Sequence, residues 1–213
     1  MNDDVKLKRR DFCLTATAAL AAPAIITTSF TSPARAALNA DGLHTQPWFL
    51  ESFMDLKEDH AEMAKSKKKF AIFFEQEGCP YCAEMHEKNL SKPKISKFIQ
   101  DNFGVLQINL FGAKEVTDFD GKAFEERKLG ARWGIQFTPT IIFIRPSLEG
   151  LSGMNGKQLT VGKIPGYFRP FHFMTYFEYM AGEHYDTIDF QRFLGAKVER
   201  MKKQGKKVDL WAS

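Results

Sequence analysis

Two cysteines separated by a proline and a tyrosine, Cys79-Pro80-Tyr81-Cys82, are the residues in this chain whose chemistry is easiest to recognise. They follow an apolar run over residues 70–74 and open a segment with helical spacing. The N-terminus of a helix offers free backbone N–H groups and the positive end of the helix dipole, and both stabilise a thiolate. Pro80 suits the first turn because its missing N–H would have no helical partner there. The motif therefore predicts a dithiol that exchanges with disulfide bonds.

Cysteine usage favours a redox role over a structural one. The chain has three cysteines, and Cys13 lies in a segment typical of export signals, so the exported chain would keep only Cys79 and Cys82. A single bridge around so small a loop would constrain the unfolded chain little, and secreted proteins that rely on disulfides usually carry several. A zinc site would need a second Cys or His pair, and a c-type haem would need a histidine where Ala83 stands. We expect no metal and no cofactor beyond the redox-active pair.

The first 36 residues have the features of a signal peptide. A basic opening ends in Arg9-Arg10, an apolar stretch rich in Ala and Thr follows, and Ala34-Arg35-Ala36 has the small-x-small pattern of a signal-peptidase site. The arginine pair and the Asp-Phe after it resemble a twin-arginine signal. An uncleaved membrane anchor is the alternative, but Pro23 and the many Ala and Thr residues disfavour a stable span. We predict cleavage near Ala36 and a periplasmic mature protein that is not embedded in the membrane.

The remaining 177 residues, 37–213, suit one domain with a proper core, and the 20 phenylalanines of the chain point to dense packing. Without the signal, the formal net charge falls from +4 to +2. A lysine-rich stretch near the C-terminus has no interleaved aromatic residues, which is typical of a solvated face. We therefore expect no nucleic-acid partner.

Apolar periodicity predicts strands alternating with helices, which is typical of an α/β sandwich around a mixed sheet. Helices are predicted over residues 48–67, 81–89, 95–102, 122–133, 170–180 and 188–203. Strands are predicted over residues 70–74, 105–110, 137–144 and 159–163, with a loop over 111–121 and a hairpin turn at Asn155-Gly156.

The dithiol and a second motif together resemble the thioredoxin superfamily over roughly residues 68–182. That motif is Trp133-Gly134-Ile135-Gln136-Phe137-Thr138-Pro139-Thr140, which precedes a strand, and Gly166 then precedes a C-terminal helix. The resemblance implies a thioredoxin fold, with a mixed central sheet flanked by helices, an N-terminal helical extension and a C-terminal helix, in a domain over residues 37–213. It also implies that Pro139 is cis and faces the dithiol, and that the backbone of Thr138 pairs with substrate like an added strand.

A narrower resemblance is to the periplasmic thioredoxins of bacterial sulfur-oxidation operons, the SoxW type. It rests on residues 74–82, the insertion over 111–121 and the exported setting. It implies reduction of disulfides on periplasmic sulfur-oxidation proteins, with a sulfur-carrier protein as a client and a membrane thiol protein as the electron donor. The buried acid that thioredoxins carry in the first strand aligns here with Phe73. Proton relay to the inner cysteine would then fall to Glu75, Glu77 or solvent.

The two cysteines are predicted to have different roles. Cys79, at the exposed helix start, would attack a client disulfide, and Cys82, one turn inward, would resolve the mixed disulfide. Pro80 and Tyr81 would tune the balance between the oxidised and reduced forms. The sequence leaves open whether the protein acts as a reductase, an oxidase or an isomerase.

A copper-binding or copper-delivery module is the alternative from another functional class. Cys79, Cys82, Met85 and His86 fall within one or two helical turns, and soft sulfur ligands with an imidazole suit copper. The simpler interpretation places His86 in solvent and Met85 in the core, and leaves the cysteines to redox chemistry.

Overall fold

The structure is a computed structural model that describes residues 37–212. The predicted signal peptide, residues 1–36, lies outside the described residues. Among the helices of residues 37–212, none combines the length and the apolar character that crossing a bilayer requires.

The chain enters the fold through a short hairpin and an extended stretch. Strand β1 (Ala37–Leu38) pairs antiparallel with β2 (His44–Thr45), and helix α1 spans Leu56–Lys65. The predicted helix over 48–67 is wrong in its first eight residues. The backbone N–H of Leu50 donates instead to the carbonyl of Val105, at 2.8 Å, which holds this stretch against another strand. The helix begins only after Asp55, whose carboxylate caps it by accepting from two backbone N–H groups.

The central part of the chain builds two parallel strands joined by the predicted helices. Strand β3 is Lys69–Glu75, helix α2 is Pro80–Glu84, and a π-helical turn, Met85–Leu90, continues it. Helix α3 is Pro93–Asn102, and strand β4 is Phe103–Asn109, which pairs parallel with β3. The predicted order of elements is confirmed, with β4 beginning two residues early.

The insertion after β4 is more ordered than the predicted loop. It contains β5 (Glu115–Thr117), which pairs antiparallel with β6 (Ala123–Glu125), before helix α4 (Glu126–Trp133). The prediction of helix from residue 122 is therefore wrong for three residues that form a strand. Val116 is fully buried, and this anchors the hairpin to the core. Gly134 ends α4 with φ of 72°, as predicted.

The C-terminal half completes the sheet and covers it. Strand β7 (Thr140–Ile144) is followed by helix α5 (Gly156–Leu159), β8 (Thr160–Pro165), α6 (Pro170–Ala181) and α7 (Phe190–Lys203). The hairpin turn predicted at Asn155-Gly156 is wrong. Asn155 instead caps α5, and its side chain and that of Gln158 form a capping box.

The sheet has the strand order β4-β3-β7-β8, with β7 and β8 antiparallel to their neighbours. Alternate side chains of β3 point to opposite faces, so Phe70, Ile72 and Phe74 enter one core and Ala71 and Phe73 the other. The mixed sheet flanked by helices is therefore confirmed. Because β7 is antiparallel to β3, the last residues of β3 and the first residues of β7 lie at the same end of the sheet. This brings the two predicted motifs together.

A charged cluster holds the end of α4 against the insertion. Arg132 donates to Asp118 and to Asp120, both at 2.6 Å, and the Trp133 indole N–H donates to Asp118 at 3.0 Å. The hydrogen bond from the Arg132 guanidinium lowers the pKa of Asp120 to about 2. The ring of Trp133 packs edge-on against Phe74 at 5.7 Å, so this cluster supports the strand that leads to the dithiol.

We expect Arg132→Met to lower the free energy of unfolding above about pH 4 and to change it little near pH 2. The folded pKa of Asp120 lies below its ordinary value of 3.8, so its carboxylate stabilises the fold above that value. This stabilisation disappears as the pH falls from about 4 to about 2. Urea unfolding across this range should therefore show a difference between wild type and variant that shrinks toward low pH. Arg192→Met, which breaks an exposed pair with Asp189, is the control and should show little difference at any pH.

Candidate active site

The dithiol lies where the sequence predicts, at the start of α2. Cys79 is the N-cap residue, and its Sγ accepts a hydrogen bond from the backbone N–H of Cys82 at 3.2 Å. Pro80 fills the first helical position. Both cysteines are free thiols in this structure. Cys79 is only 5% exposed and Cys82 is 0% exposed, so the attacking thiol is less open than predicted but is the more accessible of the two.

The second motif faces Cys79, as the resemblance implies. The Thr138-Pro139 peptide bond is cis, as predicted. The Thr138 hydroxyl donates to Cys79 Sγ at 3.2 Å, and the Cys79 thiol lies 3.6 Å from the Thr138 carbonyl oxygen, which can accept from it. The same carbonyl is the group that an extended client segment could use for strand-like pairing. Both polar groups of Thr138, its hydroxyl and its carbonyl, therefore face the Cys79 sulfur.

Each of the two motifs contains one exposed aromatic side chain. Tyr81 is 58% exposed, and Phe137, directly before Thr138, is 48% exposed. Tyr81 was predicted as a supporting residue of the active site. Phe137 was given no role, because the exposure of a single residue depends on how the loop before β7 is packed.

A buried carboxylate lies at the end of β3, the strand that leads to the dithiol. Glu75, the last residue of β3, is fully buried and accepts hydrogen bonds from His86 Nε2 and Gln107 Nε2, each at 3.1 Å. Glu77 is exposed, and Phe73 fills the position where thioredoxins carry their acid. Of the three predicted proton routes, the structure places only Glu75 inside the site. Burial raises the pKa of the Cys82 thiol, and the negative charge of Glu75 raises it further.

His86 is part of this buried network, so its predicted place in solvent is wrong. Its Nε2 lies 3.1 Å from each Glu75 oxygen, and its Nδ1 lies 3.1 Å from the amide nitrogen of Gln46. Both ring nitrogens are thus engaged, which disfavours the copper alternative. Within residues 37–212, no three His, Cys, Asp or Glu side chains converge as a metal site would require. Met85 is buried in the core, as predicted.

We expect Cys79 to be alkylated before Cys82 in the reduced protein. The sulfur of Cys82 is inaccessible, and its raised pKa keeps it protonated at neutral pH, whereas the thiolate is the form that reacts. Timed labelling with iodoacetamide, followed by peptide mass spectrometry, should show Cys79 modified at least roughly tenfold faster. Raising the pH should increase Cys82 labelling, and equal rates near neutral pH would contradict the assigned roles.

Comparison with models of known protein families identifies one match. The family model described as a thioredoxin-like domain matches residues 56–181, which is more than half of the chain. The chain belongs to the thioredoxin-like domain family. The matched range runs from α1 to the end of α6 and contains both motifs. The mixed sheet with its flanking helices is thus a thioredoxin fold. No curated protein matches the sequence significantly.

Several solved structures are similar to this thioredoxin-like domain. A thioredoxin-fold protein from Helicobacter pylori shares 20% identity with a TM-score of 0.48, covering 65% of this chain and 84% of its own. A thioredoxin from Thermus thermophilus shares 22% identity with a TM-score of 0.45, covering 59% of this chain and 83% of its own. DsbH oxidoreductase shares 15% identity with a TM-score of 0.36, covering 58% of this chain and 83% of its own.

Proposed function

We propose that this protein is an exported thiol–disulfide oxidoreductase that reduces disulfide bonds of periplasmic proteins. The observation that carries the proposal is the environment of Cys79, whose sulfur is held between the start of α2 and the hydroxyl and carbonyl of Thr138. That arrangement stabilises an attacking sulfur and places a backbone acceptor for the client beside it. No cofactor is needed, because the Cys79–Cys82 pair itself carries the two electrons.

The reaction takes two exchange steps. The Cys79 thiolate attacks one sulfur of the client disulfide, the client S–S bond breaks, and one client thiolate leaves. Cys82 then loses its proton and attacks the Cys79 sulfur, which releases the second client sulfur and leaves a Cys79–Cys82 disulfide. Two electrons pass to the client, which is reduced, while the protein is oxidised. A dithiol donor must then reduce the protein again.

The redox direction depends on how strongly the reduced dithiol is stabilised, since dithiol proteins become strong oxidants when that form is stabilised. Burial and the Glu75 charge both oppose ionisation of Cys82, so any stabilised thiolate belongs to Cys79. The reducing direction is proposed from the resemblance to periplasmic thioredoxins. A disulfide oxidase or isomerase is the competing assignment, and it predicts a different redox state in cells.

The narrower proposal concerns partners. We propose that the clients are sulfur-oxidation proteins of the periplasm, including a sulfur-carrier protein, and that a membrane thiol protein is the electron donor. This proposal is supported by the resemblance of residues 74–82 and of the exported setting to the SoxW type. A mature chain that works outside the cytoplasm would also need such a donor, because the cytosolic reducing systems do not reach it.

Two measurements test the general proposal. A disulfide-bonded protein should be reduced faster by dithiothreitol in the presence of wild type than in its absence, and Cys79→Ser should give no acceleration. In cells, the Cys79–Cys82 pair should be found mostly as thiols. A pair found mostly as the disulfide would indicate an oxidase, and no acceleration by wild type would reject the oxidoreductase proposal.

We expect export to remove residues 1–36, because Ala34 and Ala36 meet the small-residue requirement of signal peptidase. Mass spectrometry of the periplasmic protein should give Ala37 as the first residue. An Ala36→Leu variant should accumulate as the uncleaved precursor, while Ala40→Leu, outside the site, should be processed normally. An intact N-terminus on wild type in the membrane fraction would contradict this prediction and support an anchor.

A further inference from the structure

We propose that the C-terminal end of this chain helps to form a basic face that binds the anionic surface of a phospholipid bilayer. The basic face is defined by five lysines and one tryptophan: Lys88, Lys92, Lys94, Lys206, Lys207 and Trp211. The lysine-rich stretch that the sequence predicts as a solvated face is part of it. The inference goes beyond the proposed function and does not depend on the chemistry of the dithiol.

Charge is distributed unevenly along the mature chain. Residues 190–213 carry seven basic and two acidic side chains, a net charge of +5. Residues 37–189 carry 18 basic and 21 acidic side chains, a net charge of −3. In the field of an anionic surface, a molecule with this asymmetry turns its basic end toward that surface.

Folding brings the C-terminal tail (residues 204–212) next to lysines from another part of the chain. The Leu210 carbonyl accepts from the backbone N–H of Phe171 at 3.1 Å, which joins the tail to the start of α6. The Arg169 guanidinium carbon lies 5.4 Å from the centre of the Trp211 ring. That tryptophan lines a depression of about 270 Å³ together with two lysines that precede α3, Lys88 and Lys92. The basic face therefore exists only in the folded chain.

Beside the tail, a cavity of about 320 Å³ combines apolar and cationic walls. Its apolar lining includes two buried side chains of α6 and a partly buried one of α7, Phe171, Met174 and Met201. Its cationic lining is Lys94, Lys197, Lys206 and Lys207. An anionic lipid has both complementary parts, since its headgroup can contact the lysines and its acyl chain the apolar side chains. The cavity therefore favours a lipid over a purely acidic ligand.

The lysines of the basic face are available to such a ligand. Within residues 37–212, the nearby ion pairs use Lys97 and Lys197 but none of these five lysines. The two carboxylates that line the cavity are engaged, because Glu178 pairs with Lys197 and Asp209 accepts from the Trp211 backbone N–H at 2.9 Å. Lysine is a compact, hydrated charge without the donor fork by which arginine binds one carboxylate. The five lysines therefore suit a surface of many phosphate charges.

Helix α7 does not provide the membrane contact with its own apolar face. Phe190 and Phe193 pack against α6, with ring centres 4.6 Å from Tyr176 and 5.4 Å from Tyr179. Trp211, by contrast, is 46% exposed. Tryptophan favours the interface between lipid headgroups and acyl chains. The basic face therefore predicts shallow, reversible binding through charge and one aromatic anchor.

Vesicle sedimentation tests this inference with the mature protein, residues 37–213. Vesicles of phosphatidylglycerol and phosphatidylcholine should carry the protein into the pellet at about 0.1 M salt, and vesicles of phosphatidylcholine alone should not. Raising the salt to about 0.5 M should release the protein, because salt screens charges at a surface. Tryptophan fluorescence should shift to shorter wavelength on binding, and Trp211→Phe should lose that shift.

Lys206→Gln combined with Lys207→Gln should weaken binding to the phosphatidylglycerol vesicles by roughly 25-fold, since each basic residue near an anionic membrane contributes about fivefold. The matched control is Lys57→Gln combined with Lys65→Gln, which removes the same charge from exposed positions of α1. Helix α1 packs on the opposite face of the sheet from α6. The control should therefore change binding by less than about twofold where the screening length is about 10 Å.

Several outcomes would overturn the proposal. Equal losses in the two double variants would show that only total charge matters, and equal binding to both kinds of vesicle would show that charge plays no part. Failure to sediment with phosphatidylglycerol vesicles, together with tight binding to soluble polyglutamate, would indicate an acidic protein partner instead. The four substituted lysines are exposed and lie outside the active site, so both variants should fold and reduce disulfides like wild type. A wild type that reduces no disulfide would reject the proposed function and leave the vesicle result unaffected.

Discussion

Cys82→Ser should stop the reaction at the mixed disulfide and hold the client covalently on Cys79. Attack requires only the Cys79 sulfur, which the Cys82 backbone N–H and the Thr138 hydroxyl continue to contact in this variant. Release requires a second sulfur within reach, and the serine hydroxyl cannot supply one. Turnover should fall to that of dithiothreitol alone, and Cys79→Ser should lose turnover without forming any adduct.

The adducts can be recovered and identified. Cys82→Ser purified from periplasm under acid quench should carry cysteine-containing proteins that dithiothreitol releases, and the double variant with Cys79→Ser is the control and should carry none. On the narrower proposal, these proteins should include a sulfur carrier and a membrane thiol protein. Broad capture of newly exported, disulfide-rich proteins would indicate an oxidase or isomerase. The absence of any adduct that a reductant releases would contradict the exchange mechanism.

The reacting groups could be predicted from sequence because each lies in a short motif. Cys79 and Cys82 are close along the chain, and Thr138-Pro139 follows a helix that Gly134 ends. Their meeting in space required only that β7 lie beside β3, which the thioredoxin resemblance implies. The short motifs were therefore enough to predict the dithiol and the loop that faces it. The structure places the Thr138 hydroxyl within hydrogen-bond distance of the Cys79 sulfur.

The buried polar residues around His86 could not be predicted in the same way. Gln46 and Gln107 lie 40 and 21 residues from His86 in sequence, and no local pattern marks either as a partner. His86 was predicted to lie in solvent, but it is fully buried within a π-helical turn. A wider turn of this kind is a local irregularity that apolar periodicity does not report.

The errors in the predicted helix and turn positions also arise from contacts that local sequence does not reveal. Residues 48–55 contain apolar positions at helical spacing, yet the backbone there bonds to β4 and the insertion, and Phe53 projects fully into solvent. Asn155-Gly156 has the composition of a hairpin turn, yet a capping box with Gln158 makes it a helix start. In both cases a tertiary contact or a side-chain cap decided between two conformations that local propensity allows.

Phe177→Ala should strongly lower the free energy of unfolding. Phe177 on α6 is fully buried, and its ring lies 4.9 to 5.1 Å from those of Phe103, Phe143 and Phe173. Truncation removes these contacts and leaves a cavity that a packed core closes only in part, so we expect a loss of about 3–5 kcal/mol in the free energy of unfolding. Urea denaturation near neutral pH measures this loss.

Phe137→Ala is the matched control for stability and the informative variant for function. Because Phe137 is half exposed, its truncation should change the free energy of unfolding by less than about 0.5 kcal/mol. If its ring, directly before Thr138, contacts a bound client protein, reduction of protein clients should slow while reduction of a small aromatic disulfide should not. Equal slowing with both substrates would show that Phe137 acts on the dithiol itself, and a loss of stability like that of Phe177→Ala would show that its ring belongs to the core.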